Sequence, residues 1–264
     1  MELPQIRAFE VNDSEHAPAF VRDMIVETLS RSLRWGRILH NLVPPFQRFL
    51  ELTGAREVLD LCAGFAGPAT ILASEMARSG LAPPRFVLTD LYPRPDSWRD
   101  ARDAHPDHID FVPEPVDATQ IPEALAKGRA RTIINALHHF PPDLVQAMFA
   151  DAVKSSRGIF IAEAFERNPL QFLNLAPAGL AALLANPVLA KRDHLKRAAL
   201  TWLSPIALGI STWDGVVSTL RVYTEADLRQ IVAPLGDSFA WEYGHYRYPP
   251  FGKGTYFYGV PTRV

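Results

Sequence analysis

The stretch Arg56-Glu-Val-Leu-Asp-Leu-Cys-Ala-Gly-Phe-Ala-Gly-Pro68 is a short apolar run that ends in an acidic residue and breaks into a turn of small residues. The following residues, Ala69-Thr-Ile-Leu-Ala-Ser-Glu-Met-Ala77, place apolar side chains at helical spacing, so we predict a strand, a tight loop and a helix. Gly64 and Gly67 lack Cβ atoms, so the loop backbone can adopt positive φ and approach a ligand closely. Because the first amides of a helix attract negative groups, this turn is predicted to bind a ligand.

The order of residues in this turn, a carboxylate before the glycines, differs from that of the dinucleotide fingerprint G-x-G-x-x-G. The order Val-Leu-Asp-Leu-x-x-Gly-x-x-Gly resembles instead the first motif of the class I S-adenosylmethionine (SAM)-dependent methyltransferases. Cys62 stands where that motif usually has its first glycine. The resemblance implies that the methionine end of SAM is held by Asp60, Cys62, Ala63, Gly64 and Gly67.

Length and composition limit the classes of protein to consider. With 264 residues, of which 48% are hydrophobic and 21% charged, the chain can bury one sizeable core as a single domain with additions. A formal net charge of -2 and a sequence pI near 6.4 argue against a nucleic-acid partner. The single cysteine excludes an internal disulfide and a thiolate metal cluster. The polar first residues lack a signal-peptide pattern, so we expect a cytoplasmic location.

Before the first strand, apolar residues three and four apart predict an N-terminal helical cap within residues 1–54. Its helices are expected over 20–29 and over 38–50, with Pro44-Pro45 breaking or restarting the second one. Residues 1–17 are polar without a period and are expected to form a loosely held arm. In methyltransferases such a cap often covers cofactor and substrate; the alternative is that it shields one face of the sheet.

Beyond the first loop, strands and helices alternate, which predicts an α/β fold with a doubly wound, seven-stranded mixed sheet. The SAM-binding core is assigned to residues 55–167 and 222–264, and residues 168–221 form an insertion after strand 5. The further strands are expected at Arg85–Asp90, Ile109–Val112, Thr132–Asn135, Gly158–Glu163, Phe239–Tyr246 and Thr255–Val260. The last two suit the antiparallel sixth and seventh strands of the class I methyltransferase fold.

Several residues at the strand ends are predicted to bind the cofactor. Asp90 ends the second strand at the position where nucleoside sites place a carboxylate on the ribose hydroxyls. By resemblance, Asp117 accepts from the adenine amino group and Ala118 offers its backbone amide to the ring. The same cofactor site is expected to include Leu91, Asn135 and Ala136.

The strand ending at Asn135 leads into His138 and His139, where the methyl acceptor should lie. Either histidine is a candidate catalytic residue, since imidazole titrates near neutrality and can take a proton from an acceptor hydroxyl or amine. Glu163, at the end of the fifth strand, is a candidate substrate ligand. The sequence offers no compact carboxylate cluster with ligand spacing, so no metal site is expected.

The insertion contains a nearly uncharged stretch, 170–190, then the basic Lys191-Arg-Asp-His-Leu-Lys-Arg197, then further apolar residues. Because Pro177 and Pro187 interrupt the apolar stretch, we reject a transmembrane span. Two interpretations remain for residues 169–210: a helical lid over a hydrophobic acceptor, or a peripheral anchor at the inner membrane face, where the basic run meets anionic lipid. A homodimer interface is compatible with both.

After the apolar stretch comes a motif of the form Asp-Gly-x-x-Ser-x-x-Arg-x-Tyr-Thr, carried by Asp214, Gly215, Ser218, Arg221, Tyr223 and Thr224. It resembles a group of little-characterised bacterial class I methyltransferases with a hydrophobic insertion before this motif. Asp214 and Arg221 are expected to pair and so tie the insertion to the core. Substrate contacts are expected from Trp213, Ser218 and Arg221.

Together these features predict in-line transfer of a methyl group from SAM to a small, apolar or amphipathic acceptor, with O-methylation favoured. SAM already carries an activated methyl group, so the protein mainly aligns the acceptor and excludes water. One alternative is a SAM-binding or scaffolding protein without turnover. A nicotinamide-dependent oxidoreductase is the other, and the glycine pattern opposes it.

Overall fold

The computed structural model describes residues 3–14 and 16–262, and within them seven strands form one sheet in the order β3-β2-β1-β4-β5-β7-β6. The first five strands pair in parallel, while β7 runs antiparallel to both β5 and β6. The predicted seven-stranded mixed sheet is therefore confirmed. The strands are β1 (Glu57–Asp60), β2 (Arg85–Leu88), β3 (Ile109–Phe111), β4 (Ala130–Ile134), β5 (Ile159–Glu163), β6 (Phe239–Tyr248) and β7 (Gly252–Pro261).

Helices cover both faces of this sheet, as its apolar strands require. Along β1, Val58 packs into a core layer with Phe46 and Phe160, and its neighbour Leu59 packs into the opposite layer with Phe149. The helices are α1 (Ala19–Trp35), α2 (Val43–Thr53), α3 (Gly67–Arg78), α4 (Pro95–Ala104), α5 (Glu123–Ala126), α6 (Pro142–Ser155), α7 (Phe172–Leu189), α8 (His194–Trp202), α9 (Ile206–Arg221) and α10 (Glu225–Val232).

The N-terminal cap consists of α1 and α2. Pro44 and Pro45 lie in the first turn of α2, where a proline needs no intrahelical donor, so they begin the helix as the restart interpretation expects. Helix α1 crosses the start of α3 at close range: a Cβ added to Gly67 would lie 2.4 Å from Oγ of Ser30. The cap therefore lies directly over the turn that opens the first βα unit.

The insertion folds into α7, α8 and α9, and α7 is continuous through Pro177 and Pro187. The two prolines that interrupt the apolar stretch therefore lie within one continuous helix. Packing of α7 against α1 offsets the lost backbone bonds, and the buried Asn186 amide donates to the Met24 carbonyl and to Thr28. By length and hydropathy alone the stretch Pro169–Leu189 would be sufficient to cross a bilayer, which is weak evidence for a span.

Candidate functional site

The turn after β1 has the backbone conformation of a glycine-rich loop, although only part of it is glycine. Cys62, Gly64 and Ala66 have φ values of 58°, 52° and 62°. A side chain in the left-handed region costs roughly 1–2 kcal/mol, so the surrounding structure must hold Cys62 and Ala66 in place. Cys62 thus has a backbone conformation that glycine adopts without this cost.

Asp90 provides part of that restraint from the end of the neighbouring strand. Its Oδ2 accepts from the Gly64 amide at 3.0 Å and its Oδ1 accepts from the Tyr92 amide at 2.9 Å. The indole of Trp98 donates to the Gly64 carbonyl at 2.9 Å. Leu91 lies half-exposed beside this carboxylate. The predicted ribose ligand therefore also organises the loop.

Asp60 ends β1 and is buried beneath the same loop. Its Oδ1 accepts from the Thr132 hydroxyl at 2.7 Å, while its Oδ2 is buried without a hydrogen-bond partner. Burial, with a smaller contribution from Asp90, raises the pKa of Asp60 to about 7 against the lowering effect of Thr132. Burial and then the carboxylates of Asp90, Asp60 and Asp117 raise the pKa of the Cys62 thiol. The loop is therefore an electronegative environment with one carboxylate oxygen still unpaired.

The segment that carries Asp117 and Ala118 lies alongside the strand end at Asp90. The amide of Val116 donates to the Asp90 carbonyl at 2.9 Å. Asp117 is exposed, and its Oδ1 accepts from the amide and hydroxyl of Thr119. Ala118 is buried. The structure thus brings the predicted cofactor residues of three strand ends to one edge of the sheet, and their binding role stays a prediction.

Beyond β4, His138 is fixed by Glu163 at the end of β5. Glu163 accepts from the His138 amide at 3.1 Å, and its other oxygen lies 2.8 Å from Nδ1 of the His138 ring. Both side chains are buried. Asn135 has φ 55° and accepts from the Ala164 amide, while its Nδ2 is buried without a partner. Ala136 is buried in the same turn.

A cavity of about 470 Å³ lies between α1, α7, α9 and this turn. Its walls are mainly apolar, with Val26, Phe172 and Leu180 among them. Its polar end is formed by Asn135, His138, His139, Ser218 and Glu10. Three of the predicted side chains, Glu163, Trp213 and Arg221, are absent from the described lining. The insertion therefore builds one wall of a cavity whose polar end meets the strand ends.

The motif that begins at Asp214 holds the N-terminal arm. Asp214 accepts from the amides of Val11 and Asn12 at 2.8 and 3.0 Å. Arg221 contacts Glu10, Asp13 and the Ala8 carbonyl. The described contacts of Asp214 and Arg221 do not include an ion pair between them, so the prediction that they pair with each other is wrong. The prediction of a loose arm is also wrong for residues 3–14.

The remaining motif residues have structural contacts as well. Trp213 is half-exposed, and its indole donates to the Phe9 carbonyl at 2.8 Å. The Tyr223 hydroxyl donates to the Phe140 carbonyl, and Thr224 forms a capping box with Asp227 at the start of α10. A Cβ at Gly215 would lie 2.0 Å from the Phe172 ring, so only glycine fits beneath that ring. These contacts account for the motif without a substrate.

Sequence reasoning missed Glu10, a buried carboxylate that the arm brings to the cavity. Its Oε1 lies 3.1 Å from Arg221 Nη1 and accepts from the Ser218 hydroxyl at 3.2 Å. Burial raises the pKa of Glu10 to about 7 although His139 and Arg221 lower it. No local pattern marked Glu10, since it is one acid in a polar segment without a period.

By sequence, no family model and no curated protein matches this chain. Solved structures match its fold. The plantazolicin methyltransferase BpumL in complex with SAH is 10% identical, with a TM-score of 0.55 over 95% of this chain and 94% of that one. The methyltransferase domain of bacterial CtHen1-CN is 10% identical, with a TM-score of 0.50 over 84% of this chain and 99% of that one.

The magnesium protoporphyrin IX methyltransferase from Synechocystis PCC 6803 with bound SAH is 17% identical, with a TM-score of 0.48 over 91% of this chain and 99% of that one. At identities this low, the likeness to the first two of these structures establishes the fold and not the activity. The chain has the fold of the class I SAM-dependent methyltransferases.

Proposed function

We propose that this protein transfers a methyl group from SAM to a small apolar or amphipathic acceptor bound in the cavity beneath the insertion. The observation that carries this proposal is the adjacency of the two sites. Val26 of α1 lines the cavity, and its Cγ1 lies 3.6 Å from the position of a Cβ on Gly64. A cofactor on the glycine loop and an acceptor in the cavity would therefore meet at α1.

The charge of the loop suits SAM, which carries a sulfonium and an ammonium group. Asp60, Asp90 and Asp117 all lie close enough to Cys62 to raise the pKa of its thiol, so a cation at this point is stabilised. The phosphates of a nicotinamide dinucleotide carry no positive charge for these carboxylates to stabilise. This electrostatic difference favours methyl transfer over the oxidoreductase alternative.

The cavity explains how the protein would orient an acceptor. SAM, when bound, supplies the activated methyl group, and the chain must position the acceptor lone pair and exclude water. Apolar side chains of α7 and α9 would cover the acceptor's hydrocarbon part. The unpaired Asn135 Nδ2 can donate to its polar group, and His138, oriented by Glu163, can accept its proton. A hydroxyl acceptor uses both contacts, which favours O-methylation.

We expect SAM affinity to depend on pH through Asp60. Its folded-state pKa of about 7 lies above the usual value, so the carboxylate is mostly protonated at pH 6 and mostly ionised at pH 8. If SAM binds the ionised form, affinity at pH 6 should be roughly tenfold weaker than at pH 8. Calorimetric titration across this range measures the change. Asp60→Asn should bind weakly at both values, and a wild-type affinity independent of pH would contradict the role of Asp60.

The same raised pKa affects the stability of the apo protein. Because folded Asp60 binds its proton more tightly than unfolded Asp60, the stability it contributes is present at low pH and is lost as pH rises through about 7. Asp60→Asn should therefore stabilise the fold at pH 8 relative to wild type. Denaturant unfolding at pH 5 and pH 8 compares the two proteins.

The acceptor site is tested by two leucines on the same helix. Leu180 lines the cavity, whereas Leu184, one turn later and equally exposed, is absent from the described lining. Leu180→Asp should raise the acceptor KM at least tenfold and leave SAM affinity unchanged, because the charge enters an apolar wall. Leu184→Asp should leave both unchanged.

The assay supplies SAM with a labelled methyl group and a panel of apolar alcohols, phenols and amines, and detects methylated products by mass spectrometry. SAM binding without turnover on any of them would favour a scaffold instead. The exposed side chains of Leu184, Leu195 and Leu203 on the insertion are compatible with two further predictions. These are contact with a membrane through residues 169–210 and formation of a homodimer. Leu184→Asp should then release the protein from anionic liposomes or change its mass in solution.

A further inference from the structure

Three side chains with metal-ligating atoms meet at the polar end of the cavity. One ligand atom from each of Glu10, His138 and His139 lies within 4.8 Å of the others. Glu10 and His138 are buried, with exposed fractions of 1% and 3%, and the rings of the two histidines lie 4.3 Å apart. Two imidazoles and one carboxylate form a common ligand set for divalent transition cations.

The hydrogen bonds of His138 prepare one of its nitrogens for coordination. Glu163 lies 2.8 Å from Nδ1 and also accepts from the His138 backbone amide, so it fixes the ring orientation. A neutral imidazole that donates from Nδ1 keeps its lone pair on Nε2. Ligating histidines commonly donate their other ring N–H to a carboxylate in this way.

Glu10 and His139 each have an atom left for a shared cation. Glu10 directs Oε1 to Arg221 and Ser218, while its Oε2 lies 3.7 Å from Nδ1 of His139. That nitrogen also forms an ion pair with Asp13 Oδ1 at 2.9 Å, so a metal ion bound to it would replace this contact. The two carboxylates beside this ring nitrogen stabilise positive charge there, whether it is a proton on the ring or a bound metal ion.

Several carboxylates lie close together at this end of the cavity. Four carboxylates converge there: those of Glu10, Asp13 and Asp214 around the arm, and that of Glu163 on His138. Among the described residues, the guanidinium of Arg221 forms ion pairs with Glu10 and Asp13. Arg221 therefore pairs with two of the four carboxylates.

We propose that Glu10, His138 and His139 bind a divalent first-row transition cation at the polar end of the acceptor cavity. Ligand atoms on a tetrahedral ion lie about 3.3 Å apart, so side-chain rotations must draw the three together by at most about 1.5 Å. This position differs from the absence of metal expected from the sequence, because the carboxylate comes from the distant arm. If the proposed function holds, the ion would polarise the acceptor hydroxyl, and His138 would bind the ion in place of accepting the acceptor's proton.

Cobalt binding tests the site without SAM or an acceptor. Titrating metal-stripped protein with Co²⁺ should give a saturable visible d–d absorption at one ion per chain, and Zn²⁺ should displace it. Glu10→Gln, which keeps a hydrogen-bonding side chain of the same length, and His139→Ala should each weaken Co²⁺ binding at least tenfold. Circular dichroism checks that both variants are folded.

The matched control is His245→Ala. This histidine is part of an exposed pair with Glu166, away from the cavity, and its replacement should leave Co²⁺ affinity unchanged. Absence of saturable absorption, or equal Co²⁺ affinity in wild type, Glu10→Gln and His139→Ala, would overturn the proposal. Because metal binding is measured on the free protein, loss of SAM binding or turnover would count against the proposed function and not against this site.

Discussion

Replacing Asp90 with alanine is expected to weaken SAM binding by about 10- to 150-fold. The carboxylate accepts from the Gly64 and Tyr92 amides, and in the proposed complex it also accepts from the ribose hydroxyls. Loss of a charged hydrogen-bond partner costs on the order of 1.5–3 kcal/mol, which corresponds to that range of dissociation constants. Because the loop that contains Gly64 loses its restraint at the same time, we expect the upper part of the range.

Calorimetric titration of SAM into wild-type and variant protein measures the effect. Asp90→Asn is the matched variant, because its amide oxygen can still accept one backbone hydrogen bond but carries no charge. Its affinity for SAM should lie between those of wild type and Asp90→Ala. Asp107→Ala, on an exposed loop, should bind SAM as wild type does. If Asp90→Ala kept wild-type affinity, the assignment of Asp90 to the cofactor would be wrong.

Replacing Arg221 with alanine is expected to destabilise the protein by about 3–5 kcal/mol. The guanidinium is buried and contacts the carboxylates of Glu10 and Asp13 and the Ala8 carbonyl. Removing one partner of a buried ion pair leaves the other charge unpaired away from water, which is the costly case. The arm should therefore leave the cavity, or Glu10 should take up a proton.

Denaturant unfolding measures this loss, and hydrogen exchange locates it. The amides of Val11 and Asn12, which donate to Asp214, should exchange much faster in the variant than in wild type. Arg229→Ala removes an exposed i,i+4 pair with Glu225 and should change stability little. Wild-type stability and exchange in Arg221→Ala would show that the arm is held by other contacts.

The polar residues of the motif around Asp214 have structural roles as well as the character of a substrate site. Its residues have the polar character of a substrate site, and Ser218 does reach the cavity. Asp214, Trp213 and Arg221 nevertheless hold the arm, and Thr224 caps a helix. A motif carries information about contacts, and only the fold shows whether the partner belongs to the same chain.

The cluster of Glu10, His138 and His139, in contrast, has no recognisable sequence motif. His138 and His139 can be recognised in the sequence because they are adjacent and follow a strand. Glu10 has no feature in its own neighbourhood that links it to them, and about half of the chain separates the arm from that turn. A ligand set assembled from distant segments has no spacing that can be recognised in advance.

The features that can be predicted from the sequence are local ones: the strand, loop and helix around Asp60, the alternation of strands and helices, and the placement of acids and histidines at strand ends. Periodicity and residue chemistry are sufficient for these features because neighbours along the chain are neighbours in space. Tertiary structure alone decided that α7 continues through Pro177 and that Asp214 and Arg221 bind the arm. It also brought Glu10 to His139, because each of these outcomes depends on contacts between distant segments, whose energies outweigh local preference.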